Sequence, residues 1–491
     1  MGGIPLAADR VTSPLPPRSA GDTRLGRTIG PVAQAHPGKS GIVALARGLD
    51  AFAARAALAD AAERSLDIQS YIWHDDIAGG LLFDALRRAA DRGVRVRLLL
   101  DDNNTVGMDA VLAELVSHRN LEVRLFNPFR MRRWRVLGYL TDFSRLNRRM
   151  HNKSFTVDDQ VTIIGGRNIG DEYLGAGEEV QFVDLDVMAI GDVVHAVTRD
   201  FERYWSCPAA HPAEHVLRTG RPRRATRERG THGSRRDATD YLEALAADPF
   251  VRELLDGRLP LDWVDVRVVS DDPSKIQGRA KQSELLLSRL TQLVQAPVRE
   301  LDLISAYFVP GEEGVNQFVE MARRGVTVTI LTNSLEATDV AAVHAGYAKR
   351  RRPLLDAGVR LLELKRTAAP ERTRSRRPGG SSDSSLHAKA FAIDRSVAFV
   401  GSFNFDPRSV RLNTEIAFVI QSPSLAARLA DVIDGALAEG SYRVELGTDG
   451  ALRWVDRAGD NEVVHDREPG AGLWRRFAVG VLSLLPIEWL L

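Results

Sequence analysis

The chain has a single cysteine, Cys207, among 491 residues. One thiol forms no intrachain disulfide and supplies too few thiolates for a cysteine metal centre. A reducing compartment suits it. Runs of about 18 apolar residues are also absent, so no membrane-spanning helix is expected. Nor does charge of one sign dominate: 66 lysines and arginines stand against 65 aspartates and glutamates. That balance counts against a dedicated nucleic-acid binder, which usually carries a basic excess. The first thirty residues lack an apolar core of signal-peptide length. Through residue 40 they read as a Pro/Gly-rich leader, and Leu6 stands where a myristoylation signal needs Ser or Thr. What remains is ordinary globular composition, 44% hydrophobic and 27% charged, with length for about three domains.

The chain is written twice. Leu66–Ile72 resembles Leu301–Phe308, and both are short apolar runs of strand type. A helical stretch follows each, LLFDALRRAADRGV and VNQFVEMARRGV. Each helix stops at Arg-Gly, where Gly93 and Gly325 suit a left-handed cap. New strands begin at 94–102 and 326–334. Each half is thus a β-α-β unit, which implies parallel strands with a right-handed crossover. The expected fold is two α/β domains, each a mixed β-sheet flanked by helices.

The same order continues into the chemistry-bearing residues. HNKSFTVDDQVTIIGGRN begins at His151 and HAKAFAIDRSVAFVGSFN at His387. Each carries His-x-Lys and, five residues on, Asp: His151, Lys153, Asp158 and His387, Lys389, Asp394. Period-two alternation points His and Lys the same way. An imidazole beside an ammonium suits a phosphate: one attacks or donates a proton, the other holds negative charge. A lone His-x-Lys is no evidence, but two copies at matching places are. Asn168 and Asn404 each follow their histidine by 17 residues. Gly166 aligns with Ser402, whose hydroxyl could touch phosphate. Asp184 aligns with Glu415 at the start of an apolar strand, and both suit the role of orienting a histidine ring; Asp186 competes with Asp184.

These two motifs resemble the paired HKD signatures of the phospholipase D superfamily, from about residue 41 to about 445. Within it, SYIWHDDIAG (70–79), RLNRRMHNKSFTVD (145–158), TNSLEATDVAAVHAGYAKRRRPLL (332–355) and GSFNFDPRSVRLNTE (401–415) are similar to bacterial cardiolipin synthases of the C type. The resemblance implies two pseudo-symmetric phospholipase D-like domains with one active site at their interface. It implies a cofactor-free, metal-independent phosphatidyl transfer through a phosphohistidine. By the same likeness His151 is the nucleophile and His387 the general acid/base, although the sequence symmetry does not itself choose. The lysines and asparagines would hold the non-bridging oxygens, and Asp158 and Asp394 would complete the motif structurally. Substrates would be phosphatidylglycerol and possibly phosphatidylethanolamine. The alternatives are a phospholipase D with water as acceptor, a phosphodiesterase acting on nucleic acid, and a non-catalytic membrane scaffold.

The expected organisation is a leader (1–40), a first domain (41–206, motif region 145–172), a basic linker (207–260), a second domain (261–445, motif region 381–408) and a C-terminal extension (446–491). Two Arg-rich stretches, 218–240 and 365–385, read as solvated loops. The tail GLWRRFAVGVLSLLPIEWLL (472–491) is too short to span a bilayer. Trp474, Arg475, Arg476 and Trp489 are interface-type residues, and docking on the protein's own core is the competing reading. Residues 126–150 interleave aromatics with arginines and could line a lipid path or form an amphipathic cover helix. The expected location is the cytoplasmic side of a bacterial inner membrane, peripherally bound. Gly38-Lys39-Ser40 lacks the first glycine of a phosphate loop. His74-Asp75-Asp76 reads as a loop rather than a metal triplet, and Tyr71, Tyr307, Asp102 and Ser334 are secondary pocket candidates at strand ends.

Overall fold

The computed structural model describes residues 19–176, 181–217, 239, 241–243, 249, 253, 258–338, 340–368, 383–458 and 461–483. The leader through residue 18, most of both Arg-rich stretches and the last eight residues of the tail lie outside the described residues. The chain divides into two compact units. One comprises Met1–Gly177, Asp186–Arg289 and Leu412–Phe418; the other comprises Glu178–Leu185, Leu290–Arg411 and Val419–Leu491.

In the first unit strands lie side by side in the order Ala210–Pro212, Leu121–Phe126, Arg95–Asp101, Ser65–Ser70, Ser154–Val157, Val161–Gly165, Asp186–Gly191, Ser40–Leu45 and Asp262–Ser270. The strands starting at Leu121, Arg95 and Ser65 are mutually parallel, and the other pairings are antiparallel. In the second unit the order is Asn461–His465, Leu452–Ala458, Ser441–Leu446, Arg360–Leu364, Thr327–Asn333, Glu300–Ser305, Lys389–Ile393 and Val397–Gly401. Five consecutive strands correspond one to one, in direction as well as order. Leu66 lies opposite Val96 and Val157, and its counterpart Leu301 lies opposite Val328 and Ile393. The duplication read from the sequence is therefore a duplication of register.

Local chemistry explains the crossovers. Helices Ile77–Asp91 and Gly311–Arg323 join the parallel strands. Each ends with a glycine at positive φ, Gly93 at 92° and Gly325 at 89°. Both close alike: Gly93 N–H donates to Ala90 O and Val94 N–H to Ala89 O, while Gly325 N–H donates to Ala322 O and Val326 N–H to Met321 O. These bonds satisfy the last helical carbonyls, and a side chain at that φ would be strained.

The units depart from the chain-order boundaries at instructive places. Asp262–Ser270, just past the basic stretch, joins the first unit's sheet by pairing with Ser40–Leu45. Ser441–His465 extends the second unit's sheet by three antiparallel strands. Segments 178–185 and 412–418 belong to the opposite unit from their chain neighbours.

The two motif aspartates are structural clips. Asp158 and Asp394 sit in the turn after their strands at φ 53° and 50°, a region that Asp tolerates better than most residues. Asp158 accepts the backbone N–H groups of Glu63, Arg64 and Ser65 at 2.8–3.0 Å. Asp394 does the same for Val298, Arg299 and Glu300. Each thus pins the hairpin to the strand that opens its β-α-β unit. Burial pushes the Asp158 carboxyl upward against these donors. At Asp394 burial also acts upward, but the three donors and Arg299 outweigh it and hold the group below the usual range. Hydrogen bonds to a charged acceptor each contribute about 1.5–3 kcal/mol. Asp158→Ala should therefore lose about 3 kcal/mol of unfolding free energy, and Asp158→Asn clearly less. Urea denaturation of the two variants checks this; equal, negligible losses would mean the clip carries no stability.

Candidate active site

His151 is positioned by a buried ion pair. Arg149 Nε donates to Asp101 Oδ1 at 2.8 Å, and Met150 N–H donates to Asp101 Oδ2 at 2.9 Å. Asp101 ends the strand Arg95–Asp101, so that strand fixes the approach to the histidine. Residues 413–415 run parallel to this segment: His151 N–H donates to Thr414 O and Thr414 N–H to Arg149 O. Thr414 Oγ1 also donates to Asn152 Oδ1 at 2.8 Å. The register delivers Glu415, whose Oε2 lies 2.8 Å from His151 Nδ1.

Glu415 is itself braced. Its N–H donates to Asp271 Oδ2 at 2.9 Å, and Asp271 N–H returns a bond to Glu415 O at 3.1 Å. Asp271 also takes Leu286 N–H and the Lys275 ammonium, both within 2.9 Å. Burial pushes the Asp271 carboxyl up to about 6, with Lys275 pulling the other way. Tyr71 closes one side: its ring is 4.7 Å from the His151 ring, edge to face, and the Lys153 ammonium is 5.2 Å from the Tyr71 ring. Lys153 Nζ also donates to His151 O at 2.7 Å.

His387 is built by a parallel device. The strand Asp383–Leu386 pairs in parallel with Gln181–Val183. His387 N–H and Ala388 N–H both donate to Val183 O at 2.9 Å. The next residue is Asp184, whose Oδ2 lies 2.6 Å from His387 Nδ1. Its Oδ1 is taken by Leu185 N–H at 2.7 Å. Lys389 Nζ stands 3.1 and 3.3 Å from the two ring nitrogens and donates to His387 O. Phe182 lies 5.3 Å from the ring. His and Lys share one space in each unit, as alternation predicts, although His151, Lys153 and His387 precede the regular strand.

A carboxylate on Nδ1 fixes the tautomer whose lone pair is on Nε2, the form that can attack or accept a proton. Both histidines carry this arrangement. Asp184 is therefore the carboxylate that reaches a histidine. Asp186 instead pairs with Arg55 at 2.8 Å and takes Arg167 N–H. Asn168 and Asn404 are buried. Among the described residues, Oδ1 and Nδ2 of Asn168 and Oδ1 of Asn404 have no hydrogen-bond partner. Buried amides left in that state are costly, and a bound anion or hydroxyl would satisfy them. Gly166 and Ser402 are both buried beside them in sequence.

Other candidates fall elsewhere. Asp102 is consumed by Phe129 N–H and by Arg132. Tyr307 packs with Val309 and Val343. Asp76 caps the helix Ile77–Asp91 through Gly79 N–H. His74, Asp76 and Glu172 form a half-exposed grouping with ligand-type atoms within 4.8 Å of one another, and Glu172 raises the His74 pKa. Asp271 and the Asp101–Arg149 pair were not singled out in the sequence. Asp271 lies outside the repeated blocks, and its only signal is an acid ending a strand before Asp-Pro.

Residues 56–205 and 290–436 match the family model described as "Cardiolipin synthase, PLD-like domain". The chain is 51% identical over 471 residues to "Cardiolipin synthase C" of Escherichia coli (strain K12), covering 95% of this chain and 100% of that protein. It is 23% identical over 421 residues to a "Cardiolipin synthase" of Staphylococcus aureus (strain Mu50), covering 86% of this chain and 68% of that protein. Among solved structures, phosphatidylserine synthase of Haemophilus influenzae Rd KW20 superposes with a TM-score of 0.59 at 14% identity, across 95% of this chain and 100% of that one. That last likeness is one of fold.

The Asp271 brace has a pH signature. An acid whose folded pKa is raised binds protons more tightly in the native state, so its ionisation destabilises the fold as pH rises from its unfolded value, about 4, to its folded value, about 6. Wild type should gain on Asp271→Asn by about 1 kcal/mol on going from pH 7 to pH 5. Parallel denaturation curves at the two pH values test this, and a pH-independent difference would contradict the raised carboxyl.

Proposed function

The chain belongs to the phospholipase D-like family of the cardiolipin synthase type, and we propose that it transfers a phosphatidyl group between phospholipids to form cardiolipin. The observation that carries this reading is the pair of histidine–carboxylate contacts, one on each copy of the motif. A two-step transfer needs two imidazoles with opposite duties. Nε2 of His151 attacks the phosphorus of the donor lipid; the bond to the leaving alcohol breaks, and His387 gives that oxygen its proton. His387 then takes the proton from the free hydroxyl of phosphatidylglycerol. That oxygen attacks phosphorus, the P–N bond breaks, and His151 is restored. Lys153, Lys389, Asn168 and Asn404 stabilise the charge that builds on the non-bridging oxygens. Glu415 and Asp184 hold the rings and stabilise each imidazolium. No step calls for a metal ion.

The donor is a second phosphatidylglycerol or a phosphatidylethanolamine. The enzyme meets it at a membrane surface, on the cytoplasmic side of the bacterial inner membrane. Among the described residues no helix is long and apolar enough to cross a bilayer. Helix Leu473–Ser483 supports peripheral contact. Val479 and Ala471 pack on Leu335 and Ala345, while Leu473, Trp474 (84% exposed) and Phe477 face solvent. Trp, Phe and the flanking Arg475 and Arg476 suit a headgroup boundary.

Mass spectrometry of lipids after incubation with phosphatidylglycerol vesicles, with and without phosphatidylethanolamine, tests the reading. Wild type should yield cardiolipin, unaffected by EDTA. His151→Ala and His387→Ala should each lose on the order of 10³-fold or more in rate while remaining folded. Phosphatidic acid alone would mean hydrolysis instead. Cardiolipin at an undiminished rate from either variant would remove the two-histidine route.

A further inference from the structure

The helix Arg135–Leu146, with the turn Arg132–Trp134 before it, is amphipathic in the inverted sense. An ordinary surface helix turns its apolar stripe to the core and its polar face to water. Here Arg132, Arg135 and Gly138 face the protein. Arg135 Nη1 donates to the carbonyls of Asp102 and Asn103, each at 2.7 Å. Arg132 pairs with Asp102 and Asp109. Tyr139 OH donates to Asn103 Oδ1 at 2.8 Å. Gly138 is buried, and a Cβ there would meet Phe129 Cδ1 at 3.2 Å. The helix backbone is thus pressed onto the unit by its small and polar side.

The apolar side is left outside. Trp134 is 61% exposed, Val136 76% and Leu140 77%, and Leu137 and Phe143 are exposed with them. Residues 136 and 140 follow helical spacing and form one ridge; the helix kinks at Asp142, and exposed Phe143 stands just past the kink. A single exposed leucine needs no explanation, but five large apolar side chains within ten residues do. Their setting identifies the occupant. Residues 130–146 carry five arginines against one acid, Asp142. Counting Asp102 and Asp109 as well, five arginines face three acids, so the locality keeps a net charge of +2, and Arg130 is exposed beside the ridge. Tryptophan, phenylalanine and aliphatic side chains presented outward from a net basic segment suit the headgroup–acyl boundary of an anionic phospholipid surface.

We infer that the ridge Trp134–Phe143 inserts into the headgroup–acyl boundary of an anionic bilayer and docks the first unit there. The inference rests on the phospholipid reading above. It adds to that reading the element that makes contact, a helix ending at Leu146, three residues before Arg149. The Asp102 and Asp109 pairs hold the arginines inward, and so keep the ridge turned outward before any lipid is met.

The test is binding, measured apart from turnover. Full-length protein is floated with vesicles of phosphatidylglycerol and phosphatidylcholine. The uncharged double variant Val136→Gln/Leu140→Gln should bind at least about tenfold more weakly than wild type, because two of the inserting side chains are lost. Binding within twofold of wild type would overturn the inference. Should that variant lose its fold, Leu140→Cys in a Cys207→Ser background, labelled with an environment-sensitive fluorophore, gives a second readout. Its emission should shift to the blue on adding the vesicles, and an unchanged spectrum overturns the inference. Vesicle binding that depends on the ridge in a protein that makes no cardiolipin would support the docking surface and sink the transferase reading alone.

Discussion

The hydrogen bond from each histidine ring to a carboxylate is the constraint on which the rest of the arrangement depends. His151 and Glu415 are 264 residues apart in the chain, and His387 and Asp184 are 203 apart. Neither contact can form until a distant strand start is laid beside the histidine. The strand Gln181–Val183 does this for His387, and residues 413–415 do it for His151. Glu415 and Asp184 are both deeply buried, and a buried carboxylate is tolerated only with strong partners. The histidine that the carboxylate orients is also one of the groups that makes its burial tolerable. Fold and chemistry are therefore coupled at the same bonds.

The bracing differs between the two copies even though the histidine–carboxylate contact is of the same kind. Glu415 is held through Asp271, which carries Lys275 and two backbone donors. Asp184 is held by its own neighbour, Leu185, at the end of a short parallel strand. The first is a rigid polar network, and the second relies on backbone pairing. The motif aspartates show the same economy. They lie at the far end of the hairpin from the histidines and spend their oxygens on backbone N–H groups. Their presence in the motif reflects the need to fix the hairpin against its neighbour strand.

Much of this was legible in the sequence. The β-α-β repeat was readable because apolar runs, helical spacing and Arg-Gly stops are local signals, and the register of Leu66 and Leu301 bears them out. Asp184 and Glu415 were visible as candidates because they align at equivalent strand starts. Which histidine each would serve was not, since local pattern carries no information about long-range exchange. Asp271 escaped notice because it has no repeat partner. The segment 126–150 was recognisable as amphipathic, yet hydrophobic periodicity cannot say which face turns inward. The arginine pairs with Asp102 and Asp109, the Tyr139 bond to Asn103 and buried Gly138 decide that.

Transfer in two steps requires a covalent phosphatidyl–histidine intermediate on a ring held by a carboxylate. Mass spectrometry of the protein, quenched in alkali during turnover on phosphatidylglycerol, looks for it. A phosphatidyl adduct is expected on the peptide containing His151, lost on acidification and absent in His151→Ala. Cardiolipin formed with no adduct at any time, or an adduct on His387 alone, would contradict it.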